Sequence, residues 1–310
     1  MSNEIVGRFA PSPSGYLHVG NLLAMLLAWL DVRSQGGTMI FRMEDLDPAR
    51  SKPEYIEAMA DDFHWFGLDW DIGWPDPDYR QSRRSHIYQN AFDRLLQEDL
   101  IYPCWCTRAD RLAAASAPAQ DEQVHDSSCR CARLTPDQRA EKSLYGRAPA
   151  WKLRSPAQLG CVYDGHYGQI DAHPQDYIVR RADGVFAYQL AVCEDDRLMG
   201  VNRVVRGRDL LDCSPQQARL TELLGGTAPS YCHTPLLADG EHKLSKRRGS
   251  LSTLELRRSV SPQKLAGALA FSCGLLPEFC EITPTDLIPL FSWDKVCKED
   301  IPLCRLTALL

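Results

Sequence analysis

Apolar positions along this chain follow two rhythms. Residues 5–9 (IVGRF) and 38–44 (TMIFRME) are short apolar runs that predict strands, the second ending in acids. Leu22–Leu30 is almost wholly apolar and predicts a buried helix. The tetrapeptide SKPE at 51–54 predicts a helix start, with Ser51 as N-cap, Pro53 in the first turn and Glu54 closing a capping box; the helix should reach Phe66. Another helix is predicted from Ser85 to Gln97. Strands separated by helices predict βαβ units around a parallel sheet. The rhythm fails over 104–150, which holds a cysteine cluster and an Ala/Ser/Pro/Gln-rich stretch at 112–120, and this predicts an insertion. Alternation returns at 175–196, where Asp183-Gly184 is a hairpin turn signal. Residues 201–211 read as strand into helix, and from Ser250 to Leu310 the chain reads as helical.

The join between the first strand and the first helix, RFAPSPSGYLHVGN, is unusually rich in Pro, Ser and Gly. Gly15 and Gly20 have P-loop spacing, but Asn21 and Leu22 follow in place of Lys and Ser/Thr, which excludes a P-loop. No G-x-G-x-x-G occurs, so a dinucleotide fingerprint is excluded as well. What remains is His18-Val19-Gly20-Asn21 at a helix mouth, where free amides and the helix dipole favour an anion. On these residues alone a tight turn with a solvated histidine fits equally well.

Length and charge narrow the field. A chain of 310 residues predicts two or so domains. The longest apolar run spans nine residues, Leu22–Leu30, too short to cross a bilayer, and the N-terminus lacks a signal peptide's basic start and apolar core. A cytoplasmic protein without membrane partners is expected. A net charge of −6 excludes a generally basic nucleic-acid coat but leaves local basic segments at 80–84, 243–249 and 256–258. Of twelve cysteines, four fall between 104 and 131. Cys104, Cys106, His125 and Cys129 form C-x-C…H-x₃-C, a ligand set suited to one structural, tetrahedral Zn²⁺, with Cys131 a spare thiol able to replace either of the last two. A reduced, metal-free loop is the alternative.

A second motif lies far downstream, Lys243-Leu-Ser-Lys246 in a glycine-flanked basic segment. The pair P-S-P-S-G-x-L-H-x-G and K-L-S-K resembles the two signatures of class I aminoacyl-tRNA synthetases. RFAPSPSGYLHVG is similar to the glutamyl/glutaminyl branch. Asn21 stands where the first signature has His, and Arg247 where the second ends in Ser. The resemblance implies an α/β, Rossmann-like catalytic domain in which His18, Gly20, Lys243 and Lys246 are catalytic and His18, Gly20, Asn21 and Lys246 bind ATP, taken with Mg²⁺. It implies further that Arg8, Ser12, Glu44, Tyr188 and Arg206 bind glutamate. Asp196 and Asp209 are expected to shape the pocket.

The expected organisation is 1–100 and 166–250 as the two halves of the catalytic domain, 101–165 as a zinc-containing insertion, and 251–310 as a small helical region resembling the stem-contact segment of synthetases. Only about sixty residues follow the K-L-S-K motif, within the ~50–250 of a single domain. That leaves no room for separate anticodon-binding domains. The resemblance is therefore nearest to the truncated glutamyl-queuosine tRNA(Asp) synthetases, which implies glutamate, ATP and queuosine-bearing tRNA(Asp) as partners of a monomer. The alternatives are a minimal glutamyl-tRNA synthetase charging a 3′ end, a small-molecule adenylyl- or nucleotidyltransferase sharing the H-x-G turn, and a non-catalytic zinc-containing RNA-binding module.

Overall fold

The computed structural model describes residues 4–106, 129–156, 160–172, 175–239, 242–243 and 251–310. Its centre is a parallel sheet. Strand β1 (Val6–Phe9) pairs in register with β2 (Thr38–Phe41), and β2 pairs with the short β3 (Ile72–Gly73). On the other side, β9 (Arg203–Gly207) pairs with β10 (Ser230–Thr234), and β10 pairs with β6 (Val162–Asp164). The two groups meet at β1 and β9. Asn202 donates its backbone N–H to Val6 O and accepts from Val6 N–H at its side-chain oxygen, and Arg8 reaches Val205 O. The strand order β3-β2-β1-β9-β10 reverses direction between β1 and β9, and ligands of open α/β sheets bind beyond the carboxyl ends of strands at such a switch point.

Helix α1 (Val19–Arg33) crosses from β1 to β2, buried along nearly its whole length. Its Leu22, Leu23, Leu26, Leu27 and Leu30 join one core with Phe9, Phe41, Phe63 and Phe66. Gly7 permits this close crossing, since a Cβ there would lie 2.3 Å from Val32 Cγ2. Helix α2 (Pro53–Phe66) follows β2, but its N-cap is Lys52, not Ser51, and no side chain caps it. Pro53 takes the first helical position, where its missing N–H costs nothing and its fixed φ suits the helix, so the cap falls on the residue before it. Helix α3 spans Ser85–Gln97 as predicted.

A second, antiparallel sheet is built from β4 (Ile101–Cys104), β5 (Ala150–Leu153) and β8 (Tyr177–Arg180). The boundary expected at 165/166 does not separate the two sheets. β6 and its antiparallel neighbour β7 (Gly168–Ile170) join the parallel sheet, while β8 joins the insertion's sheet. Between β4 and β5 stands helix α4 (Pro136–Tyr145), closed at its start by a Thr135/Gln138 capping box. The turn at Asp183-Gly184 forms as expected, with Gly184 at φ 89°, but the returning strand is reduced to a single bridge between Arg180 and Phe186. Tyr188 instead opens helix α5 (Tyr188–Leu198). Helix α6 (Ser214–Leu223) links β9 to β10.

After β10 come β11 (Leu237–Asp239) and β12 (His242–Lys243), then α7 (Thr253–Leu256), α8 (Pro262–Ser272) and α9 (Pro284–Leu287). The tail is not wholly helical: β13 (Ile301–Pro302) pairs with β11 before the last helix, α10 (Leu303–Thr307). Asp31 of α1 ties this tail to the sheet, accepting a bidentate pair from Arg203 and a hydrogen bond from Trp293 Nε1 at 2.6 Å. Among the described residues, no helix is long and apolar enough to cross a membrane.

One charge network joins β2 to α5. Arg42, fully buried, donates to Asp196 at 2.7 Å and to Glu44 at 3.1 Å, and its Nε lies 3.7 Å from Asp195. Asp195 also accepts from Arg84, Tyr88 and Gln81. Removing one member of a buried ion network strands the others. Arg42→Met should lower the unfolding free energy by about 3–5 kcal/mol, measured by urea denaturation; a loss below about 1 kcal/mol would show that the network does not hold the halves together.

Candidate active site

The carboxyl ends of β1 and β9 open into a cleft of 210 Å³ whose lining includes Arg8, His18, Gly20, Asn21, Tyr188, Arg206, Asp209 and Leu237. His18 is the N-cap of α1. Its Nδ1 accepts the Asn21 N–H at 3.3 Å, and Asn21 Oδ1 accepts the His18 N–H at 3.1 Å, a reciprocal capping box. With Nδ1 spent as acceptor, the proton of the neutral ring sits on Nε2, where it is a donor. Val19 N–H is taken by Leu251 O and Asn21 N–H by His18, while Gly20 N–H has no partner among the described residues. Gly20 therefore offers the cleft an uncovered first-turn amide. A Cβ there would lie 3.1 Å from the His18 ring.

The chain after the second signature returns to this turn. Thr253 N–H donates to Leu17 O, His18 bridges Ser252, and Thr253 Oγ1 bonds the buried Asp62. The chain before that signature supplies Leu236 and Leu237 to the cleft wall. Both flanks of the K-L-S-K motif are thus anchored at the cleft. Lys246 lies outside the described residues, and Lys243 is described only as part of β12.

The floor is ionic. Arg8 is buried, with Nη1 on Val205 O at 3.3 Å and Nε 3.5 Å from Asp196. Arg206 is buried too, held by His233 at 3.0 Å, Gln217 at 2.6 Å, Ser214 at 2.9 Å and Leu210 O at 3.2 Å, with Tyr188 at 3.5 Å. Burial pushes the Tyr188 hydroxyl up to about 12, with Arg206 opposing, so Tyr188 stays a neutral donor and acceptor. Glu44 is buried beside Arg42; burial raises its pKa against the pull of Arg42 and then Arg8. Ser12 is exposed on the Pro-Ser turn, outside the cleft lining. Arg42, Asp195, Gln217 and His233 carry no local motif, and sequence reasoning missed them.

The cysteine cluster forms a second centre. The Sγ atoms of Cys104, Cys106, Cys129 and Cys131 all lie within 4.8 Å of one another. Four thiolates about 2.3 Å from a tetrahedral ion sit roughly 3.8 Å apart, which these sulfurs match. Adjacent pairs at 3.2–3.7 Å are too far apart for a disulfide bond. Cys131 thus completes the set, as its spare-thiol reading allowed; His125 lies outside the described residues. Burial lifts the Cys104 thiol to about 11, so metal loading must release protons.

The family model for the catalytic domain of class I tRNA synthetases (E and Q) matches residues 4–265. The chain is 43% identical to a glutamyl-Q tRNA(Asp) synthetase from Nitratidesulfovibrio vulgaris, across 93% of this chain and 92% of that one. It is 41% identical to one from Symbiobacterium thermophilum, across 96% and 95%. The chain belongs to the glutamyl-Q tRNA(Asp) synthetase family. A glutamate-tRNA synthetase structure from Elizabethkingia anophelis superposes with a TM-score of 0.82 at 23% identity, covering 99% of this chain and 70% of that one, and shares its fold. The Rossmann-like catalytic domain expected from the sequence is therefore the fold of this synthetase.

The metal centre generates a direct test. Cobalt(II) should bind at about one equivalent per chain with the strong absorption of a tetrahedral thiolate site. Cys131→Ser should weaken the thiolate band, and His125→Ala should leave it unchanged. The reverse pattern would restore His125 as the fourth ligand.

Proposed function

We propose that this enzyme activates glutamate with ATP and transfers it to queuosine in the anticodon of tRNA(Asp). The observation that carries the proposal is charge complementarity. Two buried guanidinium groups, Arg8 and Arg206, line the cleft with Tyr188, and the carboxylate of Glu44 is buried on Arg42 outside that lining. That is the complement of a ligand with two carboxylates and one ammonium. Arginine forks suit carboxylates, and a carboxylate suits an ammonium. The name borne by the relatives, glutamyl-Q tRNA(Asp) synthetase, supports the acceptor in this reading.

In this reading the glutamate α-carboxylate attacks the α-phosphorus of magnesium-bound ATP. Pyrophosphate leaves and glutamyl-adenylate forms. Negative charge builds on phosphoryl oxygens, so fixed donors and cations supply the catalysis and no protein nucleophile is needed. His18 Nε2–H and the Gly20 amide are the donors at the mouth of α1; Asn21 keeps the His18 ring in the tautomer that donates. Lys243 and Lys246 are assigned to the β- and γ-phosphates. A hydroxyl of the queuosine cyclopentene diol then attacks the acyl carbon and AMP leaves. The four cysteines would hold zinc, which ties β4 to the segment before α4 and takes no part in the chemistry.

The test uses labelled glutamate. Glutamate-dependent ATP–pyrophosphate exchange should run without RNA, and glutamine should not support it. Label should enter tRNA(Asp) from cells that make queuosine and stay absent from tRNA of cells that do not. Labelling that persists without queuosine, or that disappears when the 3′ adenosine is removed, would instead establish ordinary 3′-end charging.

A further inference from the structure

Among the described residues, the hydrogen-bond partners of the buried cation Arg206 are all neutral: an imidazole, an amide, a hydroxyl, a carbonyl, a phenol and a thiol. Arg42 and Arg84, by contrast, each donate directly to a buried carboxylate. The carboxylate nearest to Arg206 along its bonded chain is Asp164, and it stands one imidazole away. His233, fully buried, lies between them, with Nδ1 2.6 Å from Asp164 Oδ2 and Nε2 3.0 Å from Arg206 Nε.

The protonation pattern follows from chemistry alone. A guanidinium has no acceptor, so Arg206 Nε–H must donate to His233 Nε2. The imidazole's one proton is then on Nδ1, and it is given to Asp164. Asp164 Oδ1 meanwhile accepts the backbone N–H groups of His166 and Tyr167, which fixes the carboxylate to the turn after β6. A carboxylate placed directly on Arg206 would satisfy its charge and compete with any anionic ligand. A neutral imidazole in that place aims the guanidinium and leaves its charge for the cleft.

We infer that Asp164 and His233 are positioning residues for the amino-acid substrate, a relay that orients Arg206 toward the substrate carboxylate and keeps Arg206 from being neutralised by the protein. The inference rests on the glutamate reading above. The relay also crosses the sheet: Asp164 ends β6, His233 sits in β10 and Arg206 in β9. Tyr231 stacks near the His233 ring at 6.3 Å, and Ser214 Oγ lies 3.4 Å from its Nε2. Burial first, and then the cations Arg206 and Arg8, hold the His233 pKa below its ordinary value against the pull of Asp164. The ring is therefore neutral at neutral pH. Acid adds a proton at Nε2, turns the acceptor into a donor facing Arg206 and disrupts the relay.

Two amides separate acceptor chemistry from packing. A glutamine carbonyl reaches the place of Nε2; an asparagine amide reaches only that of Nδ1. His233→Gln should keep the KM for glutamate in pyrophosphate exchange within a few-fold of the unaltered protein. His233→Asn should raise it by about tenfold or more, with the KM for ATP unchanged, as expected for a lost hydrogen bond to a charged group. Asp164→Asn keeps the acceptor for the turn amides but places an NH₂ against Nδ1, forcing the other tautomer; it should match His233→Asn. On acidification the unaltered protein should show a rise in glutamate KM that the Gln variant lacks, the substrates' own titrations being common to both. Equal KM values for the Asn and Gln variants, or parallel changes for glutamate and ATP, would overturn the inference alone. Absence of glutamate-dependent exchange in the unaltered protein would overturn the activity reading and the relay with it.

Discussion

The site depends on one buried cation at the end of β2. Arg42 is fully enclosed, and burial works against its charge; the attraction of Asp196, Glu44 and Asp195 outweighs that cost and holds its pKa above the usual arginine value. Its position decides where the other groups stand. Glu44 is held against it, Asp196 is shared with Arg8, and Asp195 is shared with Arg84 and Tyr88 of the α3 region. β2 and α5 are 154 residues apart at the closest bond, so a single guanidinium sets the register between the two halves of the chain. Buried ion networks cost desolvation and return it only with good geometry. Here the return is a fixed array, with three cations facing three carboxylates and Arg206 left over beside the cleft.

That surplus gives the cleft its character. A pocket with balanced charges would bind a neutral ligand as well as an anion. A desolvated arginine with neutral neighbours prefers a carboxylate, because that ligand restores the pairing that burial removed. The Tyr188 hydroxyl, kept neutral by burial, adds a directional contact without changing the charge. A preference for an anionic ligand at this cleft then rests on Arg206, since Arg8 and Glu44 are already paired with Asp196 and Arg42.

Much of this was legible in the sequence, and the boundary of legibility has a physical cause. The α1 and α3 helices follow from their apolar spacing, and Arg8, His18, Gly20, Asn21, Tyr188 and Arg206 do line one cleft. They sit in or beside local signatures, and it is the resemblance of those signatures to class I synthetases that singles them out. Arg42, Asp195 and His233 are different. A buried arginine and a surface arginine look alike in one dimension, and Asp196 lies 154 residues from Arg42 and Arg206 27 from His233. The start of α2 shifted by one residue because Ser51 has the chemistry of a cap but Pro53 takes the first helical position, which puts the cap on Lys52. Cys131 could be kept only as a spare, because C-x-C and C-x-C segments come together only when the strand at Cys104 and the turn at Cys129 meet in space.

The departure at Asn21 leaves the geometry of the helix mouth closed by a reciprocal pair of bonds. A histidine at that place would offer a bulkier ring to the same turn. Asparagine uses its short amide to accept the His18 N–H, while its own N–H holds His18 Nδ1. The two bonds satisfy two end groups of the helix and fix one tautomer of the ring that faces the cleft. Leu251 O then consumes the Val19 amide. These bonds take the Val19 and Asn21 amides, so among the described residues the first-turn donor left uncovered is the amide of Gly20, the residue with no side chain to shield it. The chain that follows the second signature is thereby part of the first signature's geometry. Displacing residues 251–253 would free the Val19 amide and loosen the His18 turn, because Leu251 O and the Thr253 N–H and Oγ1 tie this stretch to the helix mouth.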